Sequence, residues 1–366
     1  MLAYVLLTLF IFVCSCLDLI EFSVALRSTI FILAASVLTV FLGTRLVGPD
    51  LWTYESMFNA IPPLPELLQK FAIYTAFTKF EPLYLLINGI AKWIGISFNT
   101  LLLLFTTAFC LLFFCRLHYY TKYKLIALMV FLAYGYISGF SAIRQVMAAA
   151  IFFFSLKYLI NGQNLKYTLY IILACFFHTS AFILLIFCFT KKKYYSNILI
   201  VSVITTLVAF VYSGVLSSIA RTILLRIPFL SIEKVELYLH GEGSFIGTVS
   251  VVWIIILIFS LILRTRLERL DENFNLYLNI LWIGLAVYSI SVGFGEFGRV
   301  LLYFKLVYII LLPLYVDLLK EMFAKFLMTL MIGILSSTFF FAAILTDTQY
   351  SLTNRYLPYK SWLFND

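Results

Sequence analysis

The sequence predicts an all-α, polytopic integral membrane protein, and three observations carry that prediction. Of 366 residues, 63% are apolar and 18% aromatic, and only 12% are charged. Mean hydropathy is +1.04, more apolar surface than a soluble core of this size requires. Apolar runs recur from one end of the chain to the other, many close to the roughly 20 residues needed to cross about 30 Å of hydrocarbon. Lys and Arg, which give a net charge of +9, gather in short clusters between those runs. That placement fits positive-inside anchoring, so binding to nucleic acid is not expected.

Taken in order, the apolar runs place helices near 2 to 20, 27 to 43, 82 to 97, 98 to 116, 125 to 140, 142 to 160, 167 to 190, 196 to 213, 246 to 263, 276 to 293, 299 to 316 and 323 to 345. The first has no basic residue before Arg27 and no small-residue cleavage pattern, so it reads as a retained helix rather than a signal peptide. The expectation is about 11 to 12 transmembrane helices in one membrane domain spanning 1 to 366, with longer polar loops near 43 to 80 and 213 to 245. All six cysteines fall inside apolar runs without zinc-ligand or CxxC spacing, which marks them as small packing residues.

Lys191, Lys192 and Lys193, and the cluster Arg264, Arg266 and Arg269, are the strongest cytoplasmic markers and lie two spans apart. They put 213 to 245 and the turn before Arg299 outside. The basic turn from Asn161 to Lys166 also looks cytoplasmic, yet one apolar run separates it from the lysine triplet. Either that turn is external, or 167 to 190 is a re-entrant hairpin with His178 near its tip. Non-helical backbone at such depth is tolerated where it is buried in protein or lines a wet cavity.

Charged groups inside spans cost at least about 2.5 to 3.5 kcal/mol on insertion scales, so each is a candidate for function. Arg144 and Gln145 open a helix whose next turn is Ala148, Ala149 and Ala150, small enough for a neighbour or ligand to approach closely. A guanidinium forks onto phosphate or carboxylate, which suits a diphosphate. The competing role for Arg144 is snorkelling from a helix end. His178 sits among phenylalanines beside Thr179 and Ser180, either as a proton shuttle or as a packed, hydrogen-bonded imidazole.

Glu296, Arg299 and Tyr303 cluster at the mouth of another helix, where Glu296 and Arg299 can also pair locally at i,i+3. In the first long loop, Asp50 and the later Glu81 are the carboxylates available for acid/base work or for orienting sugar hydroxyls. Pro82 makes Glu81 equally a helix-start carboxylate favoured by the dipole. Trp52, Tyr54 and Tyr84 suit either sugar stacking or an interfacial aromatic belt.

In this order, these segments resemble the EpsG/Wzy family of bacterial polysaccharide polymerases. The residues that carry the resemblance are Arg45 with Gly48, Pro49, Asp50 and Tyr54; Glu81 and Pro82 with Tyr84; Ile143, Arg144 and Gln145 with Ala148; Phe177 to Ala181; Arg299 with Tyr303; and Pro358, Tyr359 and Lys360. A proline inside Gly48-Pro49-Asp50 departs from the simpler Gly-x-Asp pattern of the family's first loop.

The resemblance implies a GT-C-like polymerase architecture in the bacterial inner membrane, with the active site toward the external face. It implies transfer of a growing glycan from undecaprenyl diphosphate to an incoming lipid-linked oligosaccharide repeat. A chain-length regulator and a lipid-linked glycan flippase are the expected functional partners, and membrane lipids the surroundings. In that scheme Arg144 and Arg299 clamp the donor diphosphate, while His178, Glu81 or Asp50 deprotonates the acceptor. Arg45, Tyr54, Tyr84, Gln145, Ser180, Glu296, Tyr303 and Tyr359 would contact substrate. No cofactor and no metal are expected, since fixed cations can stabilise a leaving diphosphate. Two other activities fit a similar scaffold: a GT-C-type transferase adding one sugar from a polyprenyl-phosphate donor, and a lipid-linked glycan transporter or flippase.

Overall fold

The computed structural model describes residues 1–78, 80–190, 193–215, 218, 222, 248–291, 300–346 and 355–364, and every regular element among them is helical. Two compact units emerge, one formed by residues 1–185 with 308–366 and the other by 186–307.

The first unit begins with α1 (Leu2–Leu17) and α2 (Val24–Gly43), the latter capped where Ser23 accepts from the Leu26 N–H. The segment expected as a polar loop near 43 to 80 carries three short helices: α3 (Leu51–Ala60), α4 (Leu64–Gln69) and α5 (Phe71–Thr78). Pro82 then starts α6 (Pro82–Trp93), whose 12 residues rise only about 18 Å and fall short of a bilayer. After Ser97 caps it through the Thr100 N–H, α7 (Phe98–Tyr120) runs long enough to span.

α8 (Lys124–Phe131) loosens into a π-turn over Leu132–Tyr136 and tightens into a 3-10 turn over Ile137–Phe140. A change of pitch frees carbonyls from the regular ladder. α9 (Ile143–Ile160) packs against α7 and is largely buried, and α10 (Asn164–Cys175) packs back on α9. The unit closes with α17 (Tyr308–Asp317) and α18 (Met322–Leu345), the first packing on α8 and the second on α8 and its π-turn.

Between them, the run from 167 to 190 is not one span. α10 stops at Cys175, and a 3-10 segment, Thr179–Ile186, follows with α11 (Phe187–Thr190). The Tyr167 hydroxyl donates to the Leu184 carbonyl at 2.8 Å. A straight continuation would hold those residues roughly 25 Å apart, so the chain reverses at Phe176–His178. Of the two expectations for this stretch, the hairpin is the one formed, and the basic turn before Lys166 no longer conflicts with the lysines after Thr190.

The second unit contains α12 (Asn197–Tyr212), α13 (Thr248–Ile262), α14 (Arg264–Leu270), α15 (Phe274–Ser291) and α16 (Leu301–Lys305). Arg264 ties its basic end together. It donates to the Tyr195 carbonyl at 2.7 Å and to Asn197 Oδ1 at 3.0 Å, pairs with Glu268 at 2.9 Å and stacks on the Tyr194 ring. The Asn279 side chain bonds the Lys193 carbonyl at 3.0 Å. The two basic loops expected on one side of the membrane therefore meet at one end of this unit.

Among the described residues, five helices are long and apolar enough to cross a membrane: α2, α7, α9, α15 and α18. A sixth span forms if α13 and α14 are joined across their 77° bend. Four further apolar helices run 10 to 17 residues. Among the described residues several of the apolar runs are shorter or less regular than a straight span: 82–97 ends early, 125–140 changes pitch, 167–190 folds back and 299–316 is interrupted between Lys305 and Tyr308. The expected loop near 213 to 245 lies largely outside the described residues.

Candidate functional site

Glu81 is the centre of the site. Its backbone adopts the extended N-cap conformation ahead of Pro82, which supplies the fixed φ of the first helical turn. The carboxylate makes no capping bond, so it does not serve as the helix-start group that its position alone suggests. It reaches instead to Arg144, 63 residues on, and forms an ion pair with the guanidinium. Its other oxygen accepts the Thr179 N–H at 3.3 Å, from the bend of the hairpin. The Leu83 N–H donates to the Phe176 carbonyl at 3.3 Å and fastens the same two segments.

Arg144 is held on three sides. Beyond Glu81, it hydrogen-bonds the Tyr54 hydroxyl and lies 4.4 Å from the centroid of Phe80. Phe80 thus acts as a cation–π platform, a part that the sequence pattern did not single out. The side chain keeps 20% of its exposure, against 9% for Glu81, and its buried Nε has no partner among the described residues. An Arg held in this way is not a snorkelling helix-end residue.

The aromatics behind this pair form a continuous wall. Tyr54 stacks on Phe80 at 6.0 Å and meets Tyr84 edge-on at 5.8 Å, and Tyr84 leads on to Phe105 at 5.4 Å. Burial raises the Tyr54 phenol above its ordinary range, with the Arg144 guanidinium opposing, so the hydroxyl stays neutral. Tyr54 and Tyr84 are buried and do not form an exposed interfacial belt; Trp52, 77% exposed, is the aromatic of that loop that faces outward.

At the hairpin bend, His178 Nδ1 and Ser180 Oγ lie 2.7 Å apart, an interaction that fixes the ring orientation. His178 and Ser180 are half-buried and Thr179 is exposed, so the cluster is open on that side. Gln145 is buried beside Arg144 on α9, and Asp50 is exposed at the start of α3, one turn from Tyr54.

Arg45 and Tyr359 belong to a different constellation. Arg45 is fully buried and donates to the carbonyls of Leu42 and Gly139, both at 2.7 Å. The Gly139 carbonyl belongs to the tightened turn after α8. Gly48, with φ +140°, lies so close that a Cβ would meet the Phe140 carbonyl at 2.4 Å, so no side chain fits there. Tyr359 stacks on Phe41 at 4.0 Å and donates to its carbonyl at 2.6 Å. The C-terminal residues are bound to the first loop through Leu46 to Lys360 and Gly48 to Arg355. Tyr303 is fully buried in the second unit, and Glu296 and Arg299 lie outside the described residues.

The structure thus assembles Tyr54, Glu81, Tyr84, Arg144 and the His178–Ser180 bend from four places in the sequence, giving a fixed cation, a carboxylate, an imidazole and hydroxyls at one site. The EpsG family model matches residues 28–361, which takes in every residue of this cluster. The chain belongs to the EpsG family. No curated protein and no solved structure matches it. As an EpsG-family protein it is a multi-pass membrane protein implicated in bacterial exopolysaccharide biosynthesis.

Proposed function

We propose that this EpsG-family protein is a polysaccharide polymerase that transfers a growing glycan from a polyprenyl diphosphate to an incoming lipid-linked repeat. The observation that carries the reading is the Glu81–Arg144 pair on the Phe80 ring, facing the His178 bend, with a guanidinium nitrogen left unsatisfied.

In this reading an acceptor hydroxyl attacks the anomeric carbon of the donor, the bond to the diphosphate oxygen breaks, and the hydroxyl proton passes to a base. Arg144 offers its remaining donors to the departing diphosphate, whose charge grows in the transition state. Glu81 positions that guanidinium from the far side. His178 takes the proton, because its half-buried imidazole stands at the open bend while Glu81 is engaged by a cation and a backbone N–H. Ser180 holds the ring in register. No metal or cofactor enters the scheme.

The charge distribution of the first unit supports an external site. Arg116, Lys122, Lys124, Lys157 and Lys166 gather where α7 and α9 end and α8 and α10 begin. Glu81 and the start of α9 lie toward the opposite end, which the positive-inside rule assigns to the external face.

The deciding experiment is deletion of the gene in its native host, complementation with wild type or Arg144→Lys, and gel analysis of the surface glycan. Wild type should restore a ladder of whole repeats, while deletion leaves a single repeat. One fixed sugar increment would mean a single-sugar transferase instead. Purified protein that moves lipid-linked repeats across liposomes without lengthening them would mean a transporter.

A further inference from the structure

Beside the polar site, on the same unit, lies a cleft of about 440 Å3 between α6, α7, α9 and α10, lined by aliphatic and aromatic side chains. Its volume falls within the range of ligand pockets. Ile90, Leu104 and Leu173, between 40% and 50% exposed, keep it open along one side, and Ala108 leaves room at its middle. Along α7 it runs from Leu101 to Leu112, about 17 Å.

The two features are continuous. Phe177, which lines the cleft, immediately precedes His178 at the hairpin bend, and Met147, also in the lining, sits one turn after Arg144. Phe105 touches both the cleft residue Phe177, at 6.4 Å, and the site residue Tyr84. A cation at the head of an apolar trough is complementary to an amphiphile with an anionic head and a long hydrocarbon tail.

We infer that the cleft between α6, α7, α9 and α10 holds the isoprenoid tail of the lipid diphosphate whose head binds at Arg144. The inference rests on the reading of Arg144 as an anion holder and adds where the lipid enters: sideways, along α7. The hairpin bend then stands at the junction of tail and head. Tail length becomes part of substrate recognition, because a long isoprenoid fills the cleft by packing against its side chains and a short one leaves much of it to bulk lipid.

The test uses the full chain in nanodiscs of phosphatidylcholine with undecaprenyl diphosphate carrying a photoreactive group in its tail, adducts being mapped by mass spectrometry. Adducts on Ile90, Leu104, Ala108 or Leu173, competed away by unlabelled undecaprenyl diphosphate and not by phosphatidylglycerol, are the expected result. Adducts elsewhere overturn the inference, and so does equal competition by phosphatidylglycerol, which would make the cleft a site for bulk lipid. As a second reading, Ala108→Trp and Leu104→Trp should weaken undecaprenyl diphosphate about tenfold more than geranyl diphosphate; equal losses for both tails overturn the inference. Specific adducts without any chain growth in vitro would remove the polymerase reading and leave the cleft assignment standing, whereas chain growth with the adducts misplaced would do the reverse.

Discussion

Arg45 follows one long apolar helix and Arg144 opens another, and the family resemblance implies a substrate contact for the first and a diphosphate clamp for the second. Their surroundings differ in kind. Arg45 has no exposure and no carboxylate within ion-pair distance among the described residues, and both terminal nitrogens of its guanidinium go to backbone carbonyls. Arg144 keeps an exposed portion and a carboxylate partner. A charge that completes backbone hydrogen bonds is part of the fold: the Leu42 carbonyl lies in the last turn of α2 and the Gly139 carbonyl in the tightened turn after α8. A charge held by another charge at an opening is free to exchange part of its bonding with a ligand. Replacing each arginine should therefore fail in a different assay.

The largest effect is expected for Arg45→Met. It keeps much of the buried volume but strands the Leu42 and Gly139 carbonyls, each at a cost of about 1 to 3 kcal/mol. The variant should be lost from detergent extracts or elute as aggregate. A monodisperse, fully active Arg45→Met protein would place Arg45 outside the structural framework and end the contrast.

Arg144→Lys should fold and accumulate normally while glycan chain growth falls by roughly 100- to 1,000-fold, the loss typical of removing one preorganised donor to developing charge. Lysine keeps the charge but loses the planar fork. Ladder length by gel, normalised to protein level, is the measurement. Undiminished growth would break the clamp reading.

Glu81 sharpens the comparison, because it should act through Arg144 rather than on substrate. In a double-mutant cycle of Glu81→Gln and Arg144→Met, the coupling should be on the order of 1 to 3 kcal/mol, read as the non-additive part of the activity loss. A positioning role also predicts that Glu81→Gln leaves the shape of the pH profile of activity in place, whereas His178→Gln, which removes the base, changes it. Simple additivity would mean that the pair seen here does not operate during turnover.

Much of this was legible from residue types. The apolar runs give helices nearly throughout, Pro82 begins α6, and the basic turns around Asn161 and Lys193 could be reconciled by a reversal between them, which the Tyr167–Leu184 bond requires. The partnership of Glu81 with Arg144 was not legible, because 63 residues separate them and each has a bland local role available. Local spacing finds i,i+3 and i,i+4 partners, not tertiary ones. The surroundings of Arg45 were hidden for the same reason: its burial comes from the turn at Gly139 and from the C-terminal residues near Ser361, neither of which a sequence neighbour announces. Phe80 was overlooked because one more phenylalanine among 38 carries no signal until a guanidinium rests on it.

Asp18 extends the class represented by Arg45, with the sign of charge reversed. It is buried at the end of α1 and accepts the Leu125 and Ile126 N–H groups at 2.6 and 3.0 Å, completing donors at the start of α8. Burial raises its carboxyl to about 6, with the two N–H groups, Arg27 and Lys124 opposing. A raised folded-state pKa means that the protonated form is the favoured one inside the fold. The associated stability is complete below about pH 4 and is lost as pH rises through about 6, at no more than about 1.4 kcal/mol per pH unit. Wild-type protein in detergent should thus show a falling melting temperature between pH 5 and pH 7, by a few degrees. Asp18→Asn keeps an acceptor for the N–H groups and removes the titration, so its melting temperature should be flatter across that window and higher than wild type at pH 8. If wild type instead gains stability as pH rises, the carboxylate is stabilised by its N–H donors more than burial opposes it, and Asp18 belongs with Glu81 among charges satisfied by their partners.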